Sequence, residues 1–250
     1  MDEKLLNQLV FFPTPDSPCS YLPDLDSRSI FLHPDQAIDS PLYSQLNQLG
    51  FRRSGSHLYR PWCDNCQACK SVRVKASDFR MSRNQKRVFN RNKDLRVEWC
   101  PAESTDANYA LYQHYIELRH ADGDMYPPTR DQFDSFLCQP PKGVENYFLS
   151  FKLGEKLVAI AVVDILPDGI SAIYTFYDPD EEVRSLGKLA ILWLINWAKQ
   201  QRLPHVYLGY WIADCKKMSY KSDYQPQELF NGLEWRSLQN PVKLAEKPSK

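Results

Sequence analysis

No apolar run in this sequence approaches the ~20 residues that a membrane span requires. The longest, Leu189–Ile195 with Trp197 and Ala198 after it, has the length of a buried helix. The opening residues Met1-Asp2-Glu3-Lys4 lack the basic and then apolar start of an export signal, so a cytoplasmic protein without a membrane partner is expected. Internal repeats and low-complexity tracts are missing too. With 43% hydrophobic and 25% charged residues, the 250-residue chain has globular composition and enough length for a full core. Its seven cysteines are an odd number, and three fall in Cys63-x-x-Cys66-x-x-Cys69. That excludes a secreted disulfide framework and leaves reduced thiols or a metal site.

Net charge is also missing, with 31 Lys and Arg against 31 Asp and Glu, but the balance is an average. Ten basic residues between Lys70 and Arg96 meet only Asp78 and Asp94, a local excess of eight positive charges that the rest of the chain offsets. Such an excess in a structured segment suits a phosphate backbone, whereas a solvated helix face usually mixes both signs. Arg83, Lys86, Arg87 and Arg91 lie on the helix within it and are candidate nucleic-acid contacts.

Patterning predicts an α+β fold. Residues 13–35 are proline-rich and read as loop with short extended pieces. Ser40 and Pro41 open a helix that Gly50 closes. Strands over Phe51–Ser54 and His57–Arg60 flank Gly55 as a hairpin, and Ser71–Ala76 alternates as a strand. Ser82 caps a helix over Arg83–Asn92, and a strand over Leu95–Trp99 precedes a domain boundary at Pro101. A small N-terminal domain (1–100) with the cysteines and the basic helix is thus expected before a C-terminal domain (101–250). The second domain runs as a helix over Asp106–His120, a short helix capped by Thr129, three strands (Tyr147–Leu153, Lys156–Leu166, Ile170–Tyr177), a helix over Arg184–Gln200 and a strand over Val206–Trp211. This order suggests an acetyltransferase-like (GNAT-like) mixed sheet flanked by helices. In that fold the start of the long helix offers N–H groups to phosphates. Arg184, Gly187 and Lys188 occupy that place, but Leu189 departs from the coenzyme A-binding pattern.

Several segments together resemble the aminoacyl-tRNA–protein transferases. They are Gly50-Phe51-Arg52-Arg53-Ser54-Gly55, Tyr59-Arg60-Pro61, the cysteine triplet, Arg83–Arg87, Phe133–Cys138, Ser185-Leu186-Gly187 and Leu208–Ile212 with Cys215, Lys217, Tyr220-Lys221 and Pro226. The segment His120-Ala121-Asp122-Gly123-Asp124-Met125-Tyr126-Pro127 is similar to the short bacterial branch. The resemblance implies transfer of leucine from leucyl-tRNA to proteins beginning with Asp or Glu, marking them for degradation. Arginine as donor and a non-catalytic metal-dependent nucleic-acid-binding regulator are the alternatives. Attack by an amine on an activated ester needs positioning and a proton acceptor, and no cofactor.

Asp122, Asp124 and His120 are the catalytic candidates, with turn formation and helix capping as their structural alternatives. Arg52, Arg53 and Tyr59 are candidates for binding the acceptor's acidic side chain, since guanidinium suits a carboxylate. Strand alternation lets at most one of the two arginines point into such a pocket. Lys188, Lys217 and Lys221 are candidates for acceptor-stem phosphates, and Tyr210 for stacking on the terminal adenosine. Cys63, Cys66 and Cys69, with Cys19 as a possible fourth ligand, have the spacing of a zinc or iron–sulfur site, or else pack as free thiols. Cys100, Cys138 and Cys215 are expected as buried small hydrophobes.

Overall fold

The computed structural model describes residues 8–238. Short strands β1 (Phe11–Pro13), β2 (Ser17–Pro18), β3 (Asp26–Ser27) and β4 (Ser29–Leu32) lie in the proline-rich segment. Helix α1 (Ser40–Gln48) follows, and its cap is Asp39, one residue before the expected Ser40. The Asp39 carboxylate accepts from the Leu42 N–H at 2.8 Å. Pro41 then sits in the first turn, where a missing N–H costs nothing. The helix ends in paired bonds, Gly50 N–H to Asn47 O and Phe51 N–H to Leu46 O, which need Gly50 at φ +83°.

The hairpin of β5 (Arg52–Ser54) and β6 (His57–Pro61) completes a four-stranded sheet in the order β1-β4-β6-β5. At its tip, a Cβ on Gly55 would lie 2.5 Å from the Ser135 carbonyl oxygen, so only glycine allows the hairpin to rest on that backbone.

The remaining elements are β7 (Lys70–Lys75), α2 (Arg83–Arg91), β8 (Arg96–Pro101), α3 (Asp106–Arg119), α4 (Arg130–Phe133), β9 (Glu145–Leu153), β10 (Lys156–Leu166), β11 (Gly169–Tyr177), α5 (Leu186–Gln200), β12 (His205–Trp211), β13 (Gln227–Phe230) and β14 (Trp235–Ser237). A π-helical turn, Asp134–Cys138, extends α4, and 3₁₀ segments cover Pro179–Arg184 and Lys216–Asp223. Eight strands form one sheet in the order β14-β13-β7-β12-β11-β10-β9-β8. This corrects the division at Pro101. Strand β7 precedes that residue and β8 ends on it, yet β7 is hydrogen-bonded between β13 and β12 and β8 pairs with β9, so the ladder crosses the expected boundary. The order β8-α3-α4-β9-β10-β11-α5-β12 is the acetyltransferase-like one anticipated.

Three apolar clusters hold the layers together. On one face of the large sheet, α5 and α2 cover Val72, Val74, Val206 and Leu208, with Trp193 and Trp197 packed there against Trp99. On the other face, α3 and α4 pack Tyr112, Ile116 and Phe133 over Phe148 and Phe176. Beside them, α1 and the small sheet pack Tyr43, Leu46 and Leu58 around Tyr207. Strand β10 is covered on both faces, which is why its sequence is a nearly unbroken apolar run.

Candidate active site

Strands β11 and β12 run parallel but pair only over Gly169–Ser171 and His205–Tyr207. Beyond those pairs the strands part, and the opening between them is the centre of the candidate site. A bulge in β12 sets its chemistry. Tyr207 pairs with Arg73 and Tyr210 with Ser71, so β12 carries one extra residue, at Gly209 with φ +76°. Ordinary alternation would send Tyr210 to the α5 face. The bulge sends it to the face of the small sheet, where its hydroxyl lies 2.9 Å from Gly50 O and 3.2 Å from Tyr59 O. Lys221 closes over the bulge, with Nζ donating to Tyr210 O at 2.5 Å. Burial first, and then the Arg52 charge, pushes its ammonium pKa down to about 8. Lys221 is therefore a part-buried amine and not a surface phosphate contact.

The neighbouring arginines of β5 do face opposite ways, as alternation requires, but neither opens into a pocket. Strand β5 is covered on both sides, and that overturns the expectation of an Arg52 or Arg53 exposed to an incoming carboxylate. Arg53 donates twice to Asp164, at 2.6 and 2.9 Å, in an ion pair with no solvent exposure. Tyr43 (2.7 Å) and Asn146 (2.8 Å) donate to the same carboxylate, so its acceptor capacity is filled. Arg52 donates to Asn47 O at 3.1 Å, Phe51 O at 2.5 Å and Ser71 Oγ, and lies 5.1 Å from the Tyr207 ring and 5.9 Å from the Tyr210 ring. All of these partners are neutral, and burial pushes its pKa down. Tyr59 lies beside Tyr210 at 5.9 Å between ring centroids, and burial raises its pKa to about 12.

The second wall is the turn after α3. His120 Nε2 lies 3.1 Å from the Tyr115 hydroxyl, and burial first, then Lys217, lowers its pKa. Asp122 is exposed and accepts from Lys217 Nζ at 3.0 Å, which holds its carboxyl below the usual range. This ion pair ties the turn to the 216–223 segment and occupies two residues expected to act separately, one as catalyst and one on tRNA. Asp124 is exposed, close enough to Tyr21 to raise the Tyr21 pKa behind the larger effect of burial. Tyr115, Tyr174, Tyr177 and Phe136 form an aromatic surface, with centroid separations of 4.8 Å (Tyr115–Tyr177) and 5.7 Å (Phe136–Tyr174). The Tyr174 hydroxyl is buried without a partner among the described residues.

Helix α2 borders the opening on the α5 side. Ser82 and Gln85 form its capping box, and Gln85 Nε2 also donates to Asp223 O at 2.9 Å. At its other end Arg91 donates to Val183 O, and Asn92 Nδ2 to Arg184 O at 2.9 Å. Arg83, Lys86, Arg87 and Arg91 are exposed and form no ion pair among the described residues. Arg184 differs from that expectation: it is paired with Asp94 at 2.9 Å and Glu181 at 3.1 Å, so its charge is spent. Lys188 lies 3.5 Å from Asp223. Gly187 serves packing, since a Cβ there would meet the Tyr177 ring at 3.3 Å.

On the opposite side, toward the small sheet, lies a cavity of about 530 Å³ that shares Tyr210 with the opening. Arg60 and Lys70 line it, with no Asp or Glu among the lining residues. The Arg60 guanidinium sits 5.2 Å from the Phe51 ring and 5.3 Å from the Trp62 ring. These cations were not singled out by sequence reasoning. The isolated glycine in β12 was the available signal, because a glycine within a strand pattern marks a bulge or close approach.

Cys63, Cys66 and Cys69 line the same cavity, but the expected metal or cluster does not fit them as placed. Zinc–sulfur bonds of about 2.3 Å require ligand sulfurs in near contact. Among the described residues, the one set of three candidate ligands within 4.8 Å of each other is His114, Asp178 and Asp180. There Asp178 already accepts from Lys156 at 2.7 Å. Cys63 Sγ instead accepts from Arg28 N at 3.5 Å. Burial, and then the neighbouring Cys63, Cys19, Cys66 and Cys215, push the Cys69 thiol up to about 12. Cys215 is buried as expected, while Cys100 and Cys138 are only partly so.

Residues 17–87 match the family described as arginine-tRNA-protein transferase, N terminus, and residues 107–231 match its C terminus. An aspartate/glutamate leucyltransferase of Marinobacter nauticus is 52% identical over 233 residues, covering 93% of this chain and 98% of that protein. One from Hahella chejuensis is 50% identical over 230 residues, covering 92% and 97%. Among solved structures, L-PGS from Bacillus licheniformis aligns with a TM-score of 0.48 at 14% identity, covering 69% of this chain and 59% of that one.

Proposed function

The chain belongs to the arginine-tRNA–protein transferase family, and on that premise we propose that it transfers leucine from leucyl-tRNA to the α-amine of proteins beginning with Asp or Glu. Such a product carries a new N-terminal leucine and is a signal for degradation. The observation that carries the reading is the separation of two cationic flanks around one opening. The exposed charges of α2 suit the phosphates of tRNA, and the acid-free cavity with Arg60 and Lys70 suits an acidic N-terminus. No helix of the described residues is long and apolar enough to cross a membrane, and a cytoplasmic site of action fits a transferase that draws on tRNA.

In the reaction the acceptor nitrogen attacks the ester carbonyl carbon. A C–N bond forms, the C–O bond to the tRNA ribose breaks, and the amine proton passes to a base and then to the ribose oxygen. The ester is already activated, so the chain supplies orientation, charge and a proton acceptor and needs no cofactor for this step. His120 is the acceptor on this wall, because burial and Lys217 keep it neutral and Tyr115 orients its ring. Asp122 acts through Lys217 as a positioning residue. Arg60 and Lys70 replace Arg52 and Arg53 as the groups facing the acceptor's carboxylate. Leucine as donor is favoured over arginine because the relatives matched at 50–52% identity are named leucyltransferases.

The test is mass spectrometry of peptides beginning with Asp, Glu, Lys or Ala after incubation with the protein and tRNA charged with leucine or arginine. A leucine-sized gain confined to the Asp and Glu peptides is expected. An arginine-sized gain overturns the donor, and no gain in the presence of tRNA binding favours a non-catalytic regulator.

A further inference from the structure

The cavity on the small-sheet side is too large for the group it is assigned above. At about 530 Å³ it lies within the range of roughly 300–1,000 Å³ typical of small-molecule sites, well beyond one carboxylate side chain. Its cations account for only part of the lining. Beside the polar Gln67, Ser71 and Asn231, an apolar part of the lining is contributed by Pro61, Trp62, Phe230 and Leu233. Two of these are anomalous for a surface. Trp62 is 50% exposed and Leu233 is 90% exposed. Neither sits on a loose loop. The Trp62 N–H donates to Arg28 O at 2.7 Å, and the Leu233 turn is held by Asn231 Oδ1, which accepts from Leu233 N at 2.9 Å and Glu234 N at 2.8 Å. Large apolar side chains fixed outward at a cavity mouth are paid for in exposure and mark a contact surface.

We propose that this apolar half seats the side chain of the acceptor's second residue and selects aromatic or aliphatic residues there over lysine and arginine. The assignment rests on the reading that the acceptor N-terminus enters from this side. Charge complementarity fixes the orientation. Arg60 stands against Trp62, so a carboxylate held by Arg60 and Lys70 leaves the next residue beside the indole. Successive residues of an extended chain rise about 3.3 Å, which places the second side chain within reach of Trp62 and the Leu233 turn. The absence of any lining carboxylate makes the same place unfavourable for a basic second residue, which would meet Arg60 and Lys70 uncompensated. A nucleotide of the tRNA 3′ end is disfavoured as occupant, because the exposed basic helix that suits tRNA lies across the sheet on the α5 face.

The experiment compares peptides Asp-Phe, Asp-Gly and Asp-Lys followed by one common sequence, with the full-length protein and saturating leucyl-tRNA. Asp-Phe is expected to exceed Asp-Gly about tenfold in kcat/KM, as a partly buried apolar side chain provides, and Asp-Lys to fall below both. In Trp62→Ala the Asp-Phe to Asp-Gly ratio should collapse toward unity, and Leu233→Ser should reduce it by about half the logarithm. Equal rates for the three peptides overturn the proposal while leaving leucyl transfer intact, as does a ratio unchanged in both variants. A Trp62→Ala enzyme with raised KM for leucyl-tRNA and an unchanged peptide ratio assigns the cavity to RNA and overturns it too. Absence of transfer to any Asp or Glu peptide refutes the function itself.

Discussion

The two flanks of the parted strands carry positive charge under opposite conditions. On α2, Arg83, Lys86 and Arg87 stand in solvent without ion-pair partners among the described residues. On the small-sheet side, Arg52 and Arg53 are buried; one is held only by neutral groups, with its Nε unpartnered among the described residues, and the other is paired with a buried carboxylate. Exposed charge is inexpensive and acts at long range through a polyanion's counterions. Buried charge is costly and persists only where geometry compensates it. The difference separates residues that bind a substrate from residues that build the wall it meets.

The sharpest break in the comparison is at Arg53. Asp164→Ala leaves the guanidinium buried without its carboxylate and should cost about 3–5 kcal/mol in urea unfolding, whereas removing both charges with apolar residues of similar size should recover most of it. A loss under about 1 kcal/mol would mean that Arg53 escapes to solvent and belongs with the substrate-binding cations after all. Changing Arg83, Lys86 and Arg87 together to Ala should leave folding within about 0.5 kcal/mol per site. It should lower the slope of log affinity for tRNA against log salt by about 2–3, one phosphate contact per residue removed. An unchanged slope would exclude α2 from the tRNA interface.

Those exposed residues were legible in the sequence because charge density and a helix cap are local properties. The Ser82 cap and strand β10 lie where the pattern predicts. What the sequence withheld was tertiary. Alternation correctly turned Arg52 and Arg53 apart, but nothing local says that β5 is covered on both faces. Pro101 read as a boundary because proline ends strands, while the partners of β7 and β8 come from residues far along the chain. The cavity cations were hidden for the same reason. Arg60 looks like any strand residue until the bulge at Gly209 brings Tyr210 across to its side.

A smaller effect sharpens the comparison through pH. The folded pKa of Lys221, about 8, lies below its ordinary 10.5. Folding therefore carries a penalty below pH 8, and between pH 8 and 10.5 the unfolded chain holds more proton than the folded one. Stability relative to Lys221→Met should rise across that window, read as urea midpoints of the two proteins at pH 7.5 and pH 10. A parallel pair of pH curves would place the amine in solvent with the α2 charges.

The smallest effect is at Tyr174, and its direction matters more than its size. The hydroxyl is buried on the aromatic surface beside the opening and has no partner among the described residues. A buried polar group left unpaired costs roughly 1–3 kcal/mol of desolvation, so Tyr174→Phe should unfold at equal or slightly higher urea concentration. If the hydroxyl is retained for contact with substrate, the same variant should lose leucyl transfer by about tenfold in kcat/KM, the worth of one hydrogen bond made in the complex. Stability rising while transfer falls would place Tyr174 among the groups that meet the substrates. A loss of stability would show instead that the hydroxyl has a partner in solution, and the aromatic surface would then be part of the wall.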